Sequence, residues 1–305
     1  MKKLLILGGS GFIGSSIVEY GIDKKLIKHK INKIYVLSRS QKKVANKKKY
    51  IEIEYIYKNI LNLKKIPQVD YIIYSLKNHN IKISNNYFNQ FLKLLKTLNK
   101  KPKILFTSSG AVYGKNNNKI KDTENKPINL NSINNLSGYK KKYALEKISI
   151  EQKITDLGLK NYRVSIARCY TFVGKNIIKY KYAVSDLIND ALKDKLINLK
   201  SKKNVYRSYM HSDDLAEWLI KILKNSNKKC PIYNVGSDKV INLRELTKLI
   251  SKITNVKSRL NKITSKEWDY YAPSTAKAKK ELNLKISINL NHALISTIKS
   301  LNDQN

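Results

Sequence analysis

The glycine-rich stretch after the first apolar run constrains the fold of this chain more than any other feature. The run KKLLIL (residues 2–7) has the composition of a buried strand, and GGSGFIG (residues 8–14) separates it from a helical pattern. Glycine permits a tight turn and a close backbone approach to a pyrophosphate, whose charge then meets the N-terminus of the helix. A purely structural turn is the alternative. We predict a bound dinucleotide coenzyme, held by Gly8, Gly11, Phe12, Ile13 and Gly14.

Short apolar runs alternate with helical patterns through the first half of the chain. The runs are KKLLIL, KIYVLS, IEIEYIY, DYIIYSL, KILFTSS and YRVSIARCY, with helical segments such as SSIVEYGID and NNYFNQFLKLLKTL between them. This order is typical of a parallel sheet covered on both faces. We predict an α/β fold with a doubly wound parallel sheet (Rossmann). Residues 1–174 would form the NAD(P)-binding domain and residues 175–305 a smaller α/β region, with 206–238 packing back onto the first domain.

The net charge of +39 would ordinarily suggest a nucleic-acid or membrane-surface partner. Only six of the 61 basic residues are arginines, however, and the excess of Lys accompanies an excess of Asn, Ile and Tyr. These amino acids have A/T-rich codons, so a coding bias explains the charge without any function. We therefore expect no nucleic-acid partner, and we interpret the Asn- and Lys-rich segment 115–135 as a long surface loop.

Cysteine and histidine are too sparse to predict a metal site or a disulfide framework. Cys169 and Cys230 stand alone, and the four histidines lie far apart without ligand-like spacing. No apolar stretch approaches the roughly 18 residues that span a bilayer. We therefore expect no metal, no membrane insertion and a reducing compartment, with the cytoplasm as the default.

A basic residue closes the second predicted strand, where coenzyme-binding folds usually carry an acid. An Asp or Glu at this point binds the ribose hydroxyls of NAD, whereas an Arg accommodates the 2′-phosphate of NADP. Arg39 stands here between Ser38 and Ser40. No carboxylate occurs between Val36 and Ala45. We predict that Ser38 and Arg39 bind NADP(H), with NAD(H) possible if Arg39 is only an exposed arginine.

Two residues four positions apart form a candidate acid–base pair. Tyr143 and Lys147 lie in YALEK within a helical pattern, and such residues share one helix face, about 5–6 Å apart at Cβ. The ammonium of Lys147 would favour the phenolate of Tyr143, so the tyrosine could act as an acid or a base near neutral pH. Ser109, in SSGAVYG after the strand KILF, lies at the sheet edge where ligands of open α/β folds bind.

These elements, in this order, resemble the extended short-chain dehydrogenase/reductase family, specifically its NAD-dependent epimerase/dehydratase group, which modifies nucleotide sugars. SSGAVYG resembles the family's S-S-x-x-V-Y-G, YALEK its active-site Y-x-x-x-K, and ARCYTFVG its R-x-x-N-V-Y-G. RSYMHSDDLA and STAKAKKELNL are similar to later family segments, so the resemblance runs nearly end to end. It implies that residues 175–305 form the substrate-binding region.

The resemblance implies a role for each matching residue. Tyr143 would exchange a proton with a sugar oxygen while hydride passes to or from the nicotinamide. Lys147 would hold the nicotinamide ribose, and Ser109 would hydrogen-bond the same sugar oxygen. Arg207 would contact the diphosphate of the nucleotide-sugar substrate.

Departures from the family pattern narrow the reaction. Gly110 and Ala111 replace the Asp-Glu pair that performs the elimination in 4,6-dehydratases, so dehydration is disfavoured. Thr171 replaces an Asn that lies near substrate in relatives, which implies a sugar pocket unlike that of common UDP-galactose 4-epimerases. Asn59 stands where the family has an acidic residue that contacts the adenine, so the resemblance implies that Asn59 makes this coenzyme contact. The segment 74–77, which ends in Lys77, replaces the family's H-L-A-A.

The resemblance also implies a homodimer, built through the Y-x-x-x-K helix and the helix before it. In NNYFNQFLKLLKTL one apolar face comprises Tyr87, Phe91, Leu94, Leu95 and Leu98. We expect this face either at the dimer interface or in the core of the chain.

Together these observations predict an NADP(H)-preferring oxidoreductase of a nucleotide sugar. Arg39 without an acid favours a reductase, which needs an exchangeable NADPH, over an epimerase, which regenerates a bound NAD. ARCYTFVG followed by a long helix and RSYMHSDDLA resembles reductases of surface polysaccharide synthesis, which implies a 4-keto-6-deoxyhexose as the substrate. An NAD-dependent nucleotide-sugar 4-epimerase is the alternative. A catalytically silent member that binds NAD(P) or RNA is opposed by the intact Ser109, Tyr143 and Lys147.

Overall fold

The computed structural model describes residues 1–39, 51–116, 119–178, 182–193 and 196–303, so Ser40 lies outside the described residues. Within them the strands are β1 (Lys2–Leu7), β2 (Ile31–Ser38), β3 (Glu52–Tyr57), β4 (Tyr71–Tyr74), β5 (Lys103–Ser109), β6 (Arg163–Cys169), β7 (Phe172–Val173), β8 (Ile197–Leu199), β9 (Asn204–Ser208), β10 (Met210–His211), β11 (Ile232–Val235), β12 (Val240–Asn242), β13 (Ser258–Leu260) and β14 (Trp268–Tyr271). The α-helices are α1 (Phe12–Ile22), α2 (Ile81–Leu95), α3 (Leu130–Asn134), α4 (Gly138–Leu159), α5 (Ala183–Leu192), α6 (Ser212–Lys224), α7 (Leu243–Thr254), α8 (Ala276–Leu282) and α9 (Leu290–Asn302).

A seven-stranded sheet has the order β11-β6-β5-β4-β1-β2-β3. The pairings of β1 with β2 and β4, of β2 with β3, of β4 with β5 and of β5 with β6 are all parallel. Strand order reverses between β1 and β4, which opens a crevice at the C-terminal ends of these strands. The predicted doubly wound α/β fold is confirmed.

An aromatic and aliphatic core holds α2 against β4 and β5. The ring centroid of Tyr74 lies 5.7, 5.0 and 6.0 Å from those of Phe88, Phe91 and Phe106. All four side chains are at most 2% exposed. Full burial of a phenylalanine side chain stabilises a fold by roughly 1.5–3 kcal/mol, so this cluster contributes substantially to seating the helix.

The apolar stripe of α2 lies in this core. Tyr87, Phe91, Leu94 and Leu95 are core residues, and Leu98 packs against them. Of the two interpretations of this stripe, core packing is confirmed and an exposed dimer face is wrong, because the helix turns the stripe toward the sheet. The homodimer through the remaining faces of α2 and α4 stays a prediction.

A buried ion pair fastens α4 to the sheet. Arg168 on β6 donates from Nε to Oε1 of Glu151 (3.0 Å) and from Nη2 to Oε2 (2.7 Å). Nη1 of Arg168 donates to the Tyr113 hydroxyl (2.9 Å), and Ser108 Oγ donates to Glu151 Oε1 (2.5 Å). Arg168 and Glu151 are 4% and 5% exposed. Each buried charge therefore has its partners inside the protein, as buried ions require.

The chain divides into two compact units. The first comprises residues 1–114, 128–169 and 216–233, and the second comprises 115–127, 170–215 and 234–305. The second contains small sheets, β12-β9-β14, β8-β13 and β7-β10. The division between the units does not follow the single boundary expected at residue 174. Residues 115–127 and 170–174 belong to the second unit instead of the first. Of residues 206–238, only 216–233 belong to the first. The coenzyme-binding and substrate-binding roles of the two regions stay predictions.

The Asn- and Lys-rich segment 115–135 is more than a surface loop. Asp122 is 3% exposed, and its carboxylate pairs with Lys126 Nζ (2.6 Å) and accepts from the Tyr170 hydroxyl (3.1 Å). Ile133, on α3, is fully buried. The interpretation of the segment as a surface loop was wrong at these two positions. The polar Asp122 is buried because it has partners inside the protein, and the apolar Ile133 is buried on α3.

We expect Glu151→Gln to lower the free energy of unfolding by about 3–5 kcal/mol, because it leaves the Arg168 charge buried without its counter-ion. Thermal and urea unfolding measure the loss. Asp23→Asn is the control. It removes an exposed ion pair, in which Asp23 Oδ2 lies 3.6 Å from Lys25 Nζ, and it should leave the free energy of unfolding nearly unchanged. The double change Glu151→Leu with Arg168→Met should recover much of the loss; equal losses in single and double variants would contradict the role of the charge.

Candidate functional site

The glycine turn lies between the C-terminal ends of β2 and β4. The N–H groups of Gly8 and Gly9 both donate to the Leu37 carbonyl oxygen (3.1 and 3.0 Å). On the other side, the N–H of Ser75 donates to the Leu7 carbonyl oxygen (2.8 Å). The turn is thus fixed at the point where strand order reverses, where ligands of this kind of sheet bind.

Three of the four glycines in the turn are required by the protein itself. Gly8 has a φ of +99°, and a Cβ there would lie 2.7 Å from a backbone oxygen that follows β4. A Cβ on Gly9 would overlap Val36 Cγ1, and one on Gly14 would lie 2.5 Å from the Gly8 carbonyl oxygen. A Cβ on Gly11 would meet nothing closer than 3.6 Å. The chain itself therefore does not require a glycine at position 11.

The start of α1 fits an anionic group. The helix begins at Phe12, and its N-cap residue Gly11 supplies no side-chain hydrogen bond. The first N–H groups of a helix have no intrahelical acceptor, and the helix dipole adds positive potential there. An open side at Gly11 beside these groups suits the pyrophosphate of a dinucleotide. Gly8 and Gly11 lie in the turn after β1, and Phe12, Ile13 and Gly14 form the start of α1. The predicted contact of these five residues with a coenzyme stays a prediction.

Ser38 and Arg39 stand beside this turn, because Leu37 binds it directly. Ser38 ends β2 and is 5% exposed, whereas Arg39 follows it and is exposed. Asn59 follows β3, and its Oδ1 accepts from the N–H of Leu61 (3.1 Å), capping the 3₁₀ helix Ile60–Asn62. Asn59 therefore has a structural role, and its adenine contact stays a prediction.

α4 carries Tyr143 and Lys147 on one face, as their spacing predicts. Lys147 Nζ lies 5.6 Å from the centroid of the Tyr143 ring and 5.0 Å from that of Phe106 on β5. Tyr143 is partly exposed, whereas Lys147 is 3% exposed. Burial lowers the pKa of Lys147, while the neighbouring carboxylates of Glu146 and Glu151 act in the opposite direction. The arrangement is an accessible phenol with an ammonium held in the interior beside it.

Ser109 ends β5 at the same edge of the sheet. It pairs in register with Cys169, the last residue of β6, and its Oγ accepts from the N–H of Ala111 (3.2 Å). That bond caps the 3₁₀ helix Gly110–Tyr113. Burial raises the pKa of the Cys169 thiol to about 12, against the opposing charge of Lys147. Ser109 and Cys169 are therefore neighbours at the strand ends, with Lys147 close enough to affect the thiol.

The predicted substrate residues Thr171 and Arg207 lie in the second unit and have partners within it. Thr171 Oγ1 donates to the Ser208 carbonyl oxygen. Arg207 pairs with Asp269 (Nη2 to Oδ2, 2.9 Å), and its Nη1 donates to the carbonyl oxygens of Tyr206 (2.7 Å) and Asp269 (2.9 Å). A diphosphate at Arg207 would share the guanidinium with a carboxylate. Substrate binding by both residues stays a prediction.

Three further residues lie beside Tyr143 that sequence reasoning did not identify as functional. Lys77 and His79 come from the segment after β4, and Tyr139 comes from α4. The rings of His79 and Tyr139 have centroids 4.3 Å apart, and the Tyr139 hydroxyl lies 3.2 Å from His79 Nε2. Tyr139 stacks on Tyr143 at 6.1 Å with an interplanar angle of 10°. Lys77 Nζ lies 5.9 Å from the centroid of the Tyr143 ring. The one signal available was the lysine at the end of the tetrapeptide that replaces H-L-A-A.

Among the described residues, no group of three or more His, Cys, Asp and Glu side chains is arranged to hold a metal ion. In the same part of the chain, no helix combines the length and the apolar character needed to cross a membrane.

Comparison with known proteins gives one family and a consistent fold. The model of the NAD dependent epimerase/dehydratase family matches residues 4–236. No curated protein matches the chain. The solved UDP-glucose 4-epimerase of Thermotoga maritima, with UDP-glucose, is 18% identical over 99% of both chains, with a TM-score of 0.77.

Two solved dTDP-glucose 4,6-dehydratases are similar in the same way. The enzyme of Bacillus anthracis, in complex with NAD, is 17% identical over 99% of this chain and 97% of its own, with a TM-score of 0.76. That of Streptomyces venezuelae, also with NAD bound, is 18% identical over 99% and 97%, with a TM-score of 0.78. At such identities the likeness to these structures shows a shared fold.

We expect Gly11→Ala to keep the fold, because its Cβ would meet nothing closer than the Gly8 carbonyl oxygen at 3.6 Å. We expect the same change to weaken dinucleotide binding about tenfold or more, because the methyl group would crowd the pyrophosphate proposed at this turn. Gly14→Ala is the matched comparison and should lower the Tm as well, since its Cβ would lie 2.5 Å from the Gly8 carbonyl oxygen. Thermal unfolding and titration with NADPH and NADH measure the two effects. Unchanged affinity in Gly11→Ala would rule out a coenzyme at this turn.

We expect Lys147→Met to raise the Tm by several degrees at pH 7 in the absence of coenzyme. Burial lowers the pKa of Lys147 below 10.5, so its charge opposes folding below the lowered pKa, and this cost disappears as the pH rises toward 10.5. The gain should therefore shrink as the pH rises toward 10.5. The exposed Lys142→Met on the same helix is the control; a Lys147→Met protein less stable than the parent at pH 7 would contradict the argument.

Proposed function

This chain belongs to the NAD dependent epimerase/dehydratase family, and on that premise we propose that it reduces a nucleotide-activated keto sugar with NADPH. The substrate class that we propose is a 4-keto-6-deoxyhexose carried on a nucleoside diphosphate, made for a surface polysaccharide. The observation that carries the proposal is Arg39, exposed at the end of β2 beside the glycine turn. An arginine here suits a 2′-phosphate, whereas a carboxylate would suit the free ribose hydroxyls of NAD.

The residues that would hold the coenzyme are the turn from Gly8 to Gly14, with Ser38 and Arg39 at the adenosine end. The sterically open Gly11 and the uncapped start of α1 support a pyrophosphate at the turn. When bound, the coenzyme supplies the hydride. The buried ammonium of Lys147, next to the strand ends, is suited to the ribose of the nicotinamide half.

The proton would come from Tyr143. Its phenol is partly exposed, while Lys147 Nζ lies 5.6 Å from the ring and favours loss of the phenolic proton. In the reducing direction Tyr143 Oη would donate that proton to the carbonyl oxygen of the sugar as hydride reaches the carbon. Ser109 Oγ, at the end of β5, would hydrogen-bond the same oxygen and orient it.

Dehydration is the reaction that the site supports least. Elimination of water needs an acid and a base besides the catalytic tyrosine, and the resemblance implies that 4,6-dehydratases take both from the pair after the catalytic hydroxyl. Gly110 and Ala111 occupy those positions and carry no ionisable group. Dehydration is therefore disfavoured, although the chain shares the fold of two 4,6-dehydratases.

A nucleotide-sugar 4-epimerase with a retained NAD is the second candidate. The observation that favours it is the solved UDP-glucose 4-epimerase, which covers 99% of this chain. An epimerase would use the same Tyr143 to remove and return the proton. The two candidates differ in whether the coenzyme leaves after each turnover.

We expect NADPH to bind at least about tenfold more tightly than NADH, and Arg39→Asp to abolish this preference, because the aspartate would repel the 2′-phosphate. Titration of coenzyme fluorescence measures both affinities, with the exposed Lys93→Asp as a charge-matched control. Tight retention of NAD that does not depend on Arg39 would reject the reductase in favour of the epimerase.

We expect Tyr143→Phe to remove turnover of keto-sugar nucleotides, by about a hundredfold or more, and to leave coenzyme affinity unchanged. The measurement is NADPH oxidation with a nucleotide-linked 4-keto-6-deoxyhexose. An active Tyr143→Phe protein would exclude the mechanism. Salt-dependent RNA binding without activity on nucleotide sugars would instead support a catalytically silent member of the family.

A further inference from the structure

Lys77 faces the same phenol ring as Lys147, from a different part of the chain. Its Nζ lies 5.9 Å from the centroid of the Tyr143 ring, compared with 5.6 Å for Lys147. Lys147 approaches from within α4 and is buried, whereas Lys77 approaches from the segment after β4 and is exposed. Two ammonium groups from different parts of the chain therefore lie within 6 Å of the centroid of the Tyr143 ring.

The segment that carries Lys77 is fixed to α4 by a buried carboxylate. The N–H of Asn78, the next residue, donates to Glu146 Oε1 (3.3 Å), and Glu146 is 1% exposed. The Asn78 carbonyl oxygen accepts from Ser84 Oγ (2.8 Å), and Asn78 Oδ1 accepts from the N–H of Asn80 (3.1 Å). The bond to Glu146 holds the backbone next to Lys77 against α4, and the other two bonds fix the shape of the segment.

Two further rings lie beside Tyr143. That of Tyr139, also on α4, stacks on it, and that of His79, from the segment after β4, is tilted at 59° with its centroid 6.0 Å away. The 3₁₀ helix Gly110–Tyr113, which also packs on α4, contributes Tyr113, whose hydroxyl accepts from Arg168. Lys77 and Lys147 each lie within 6 Å of the centroid of the Tyr143 ring, and a lysine carries its charge through the neutral pH range when it is exposed, as Lys77 is.

We propose that Lys77 is a second cation that stabilises the phenolate of Tyr143 and that it acts together with Lys147. The physical reason is Coulombic: a positive charge within about 6 Å of the ring centroid lowers the energy of the phenolate relative to the phenol. Because Lys77 is exposed, solvent screens its charge, and its effect is smaller than that of the buried Lys147. This inference rests on the proposed role of Tyr143 in the reaction, but its test does not depend on turnover.

The test is the titration of Tyr143 followed by tyrosinate absorbance between about pH 7 and pH 10. The signal of Tyr143 is the difference between the parent protein and Tyr143→Phe, which removes one of the 20 tyrosines. We expect Lys77→Met to move its midpoint upward by about 0.5–1 unit, and Lys147→Met to move it further. Lys93→Met, which removes an exposed lysine at the far end of α2, should leave the midpoint unchanged.

A midpoint that Lys77→Met leaves unaffected would overturn the proposal. If that variant also showed a salt-dependent loss of NADPH affinity, Lys77 would instead be a contact to the coenzyme phosphates. If the midpoint moves as expected but no keto-sugar nucleotide is reduced, the pairing of Lys77 with Tyr143 stands and the proposed reaction fails. The two inferences are therefore separable.

Discussion

The buried pair of Glu151 and Arg168 is the interaction on which the geometry of the candidate site depends. Glu151 lies on α4, about one turn after Lys147 and two turns after Tyr143. Arg168 lies one residue before the end of β6. Through Ser108 and Tyr113 the same pair holds the chain on either side of the Ser109 turn. Helix α4 cannot slide along the strand ends without separating buried charges, which is among the costliest changes in a protein interior. The phenol and the serine hydroxyl are thus held by charges that do not themselves react.

The parts of the fold and site that could be predicted from sequence are those with a local signal. Alternating apolar runs gave the parallel sheet, and the run GGSGFIG gave a turn at the point where strand order reverses. The pair Tyr143 and Lys147 follows from helix periodicity alone, since residues four apart share a face. In each case the chemistry and the geometry lie within one short stretch of chain.

What could not be predicted depends on contacts between distant stretches. Glu151 and Arg168 are 17 residues apart and on different elements, and no pattern in the sequence joins them. Asp122 looked like one more polar loop residue because its partner Tyr170 lies 48 positions away. Lys77 was hidden for another reason. In a chain with 61 basic residues a single lysine carries almost no information until its distance to Tyr143 is known.

Cys169 has a consequence for the chemical durability of the site. Its thiol lies beside Ser109 at the strand ends, and burial raises its pKa to about 12. Alkylating agents, peroxides and disulfides are attacked by the thiolate, not by the thiol. The same burial keeps reagents in solution away from the sulfur, which is 4% exposed. We therefore expect alkylating agents and peroxides to react slowly with Cys169, although it neighbours a candidate catalytic hydroxyl.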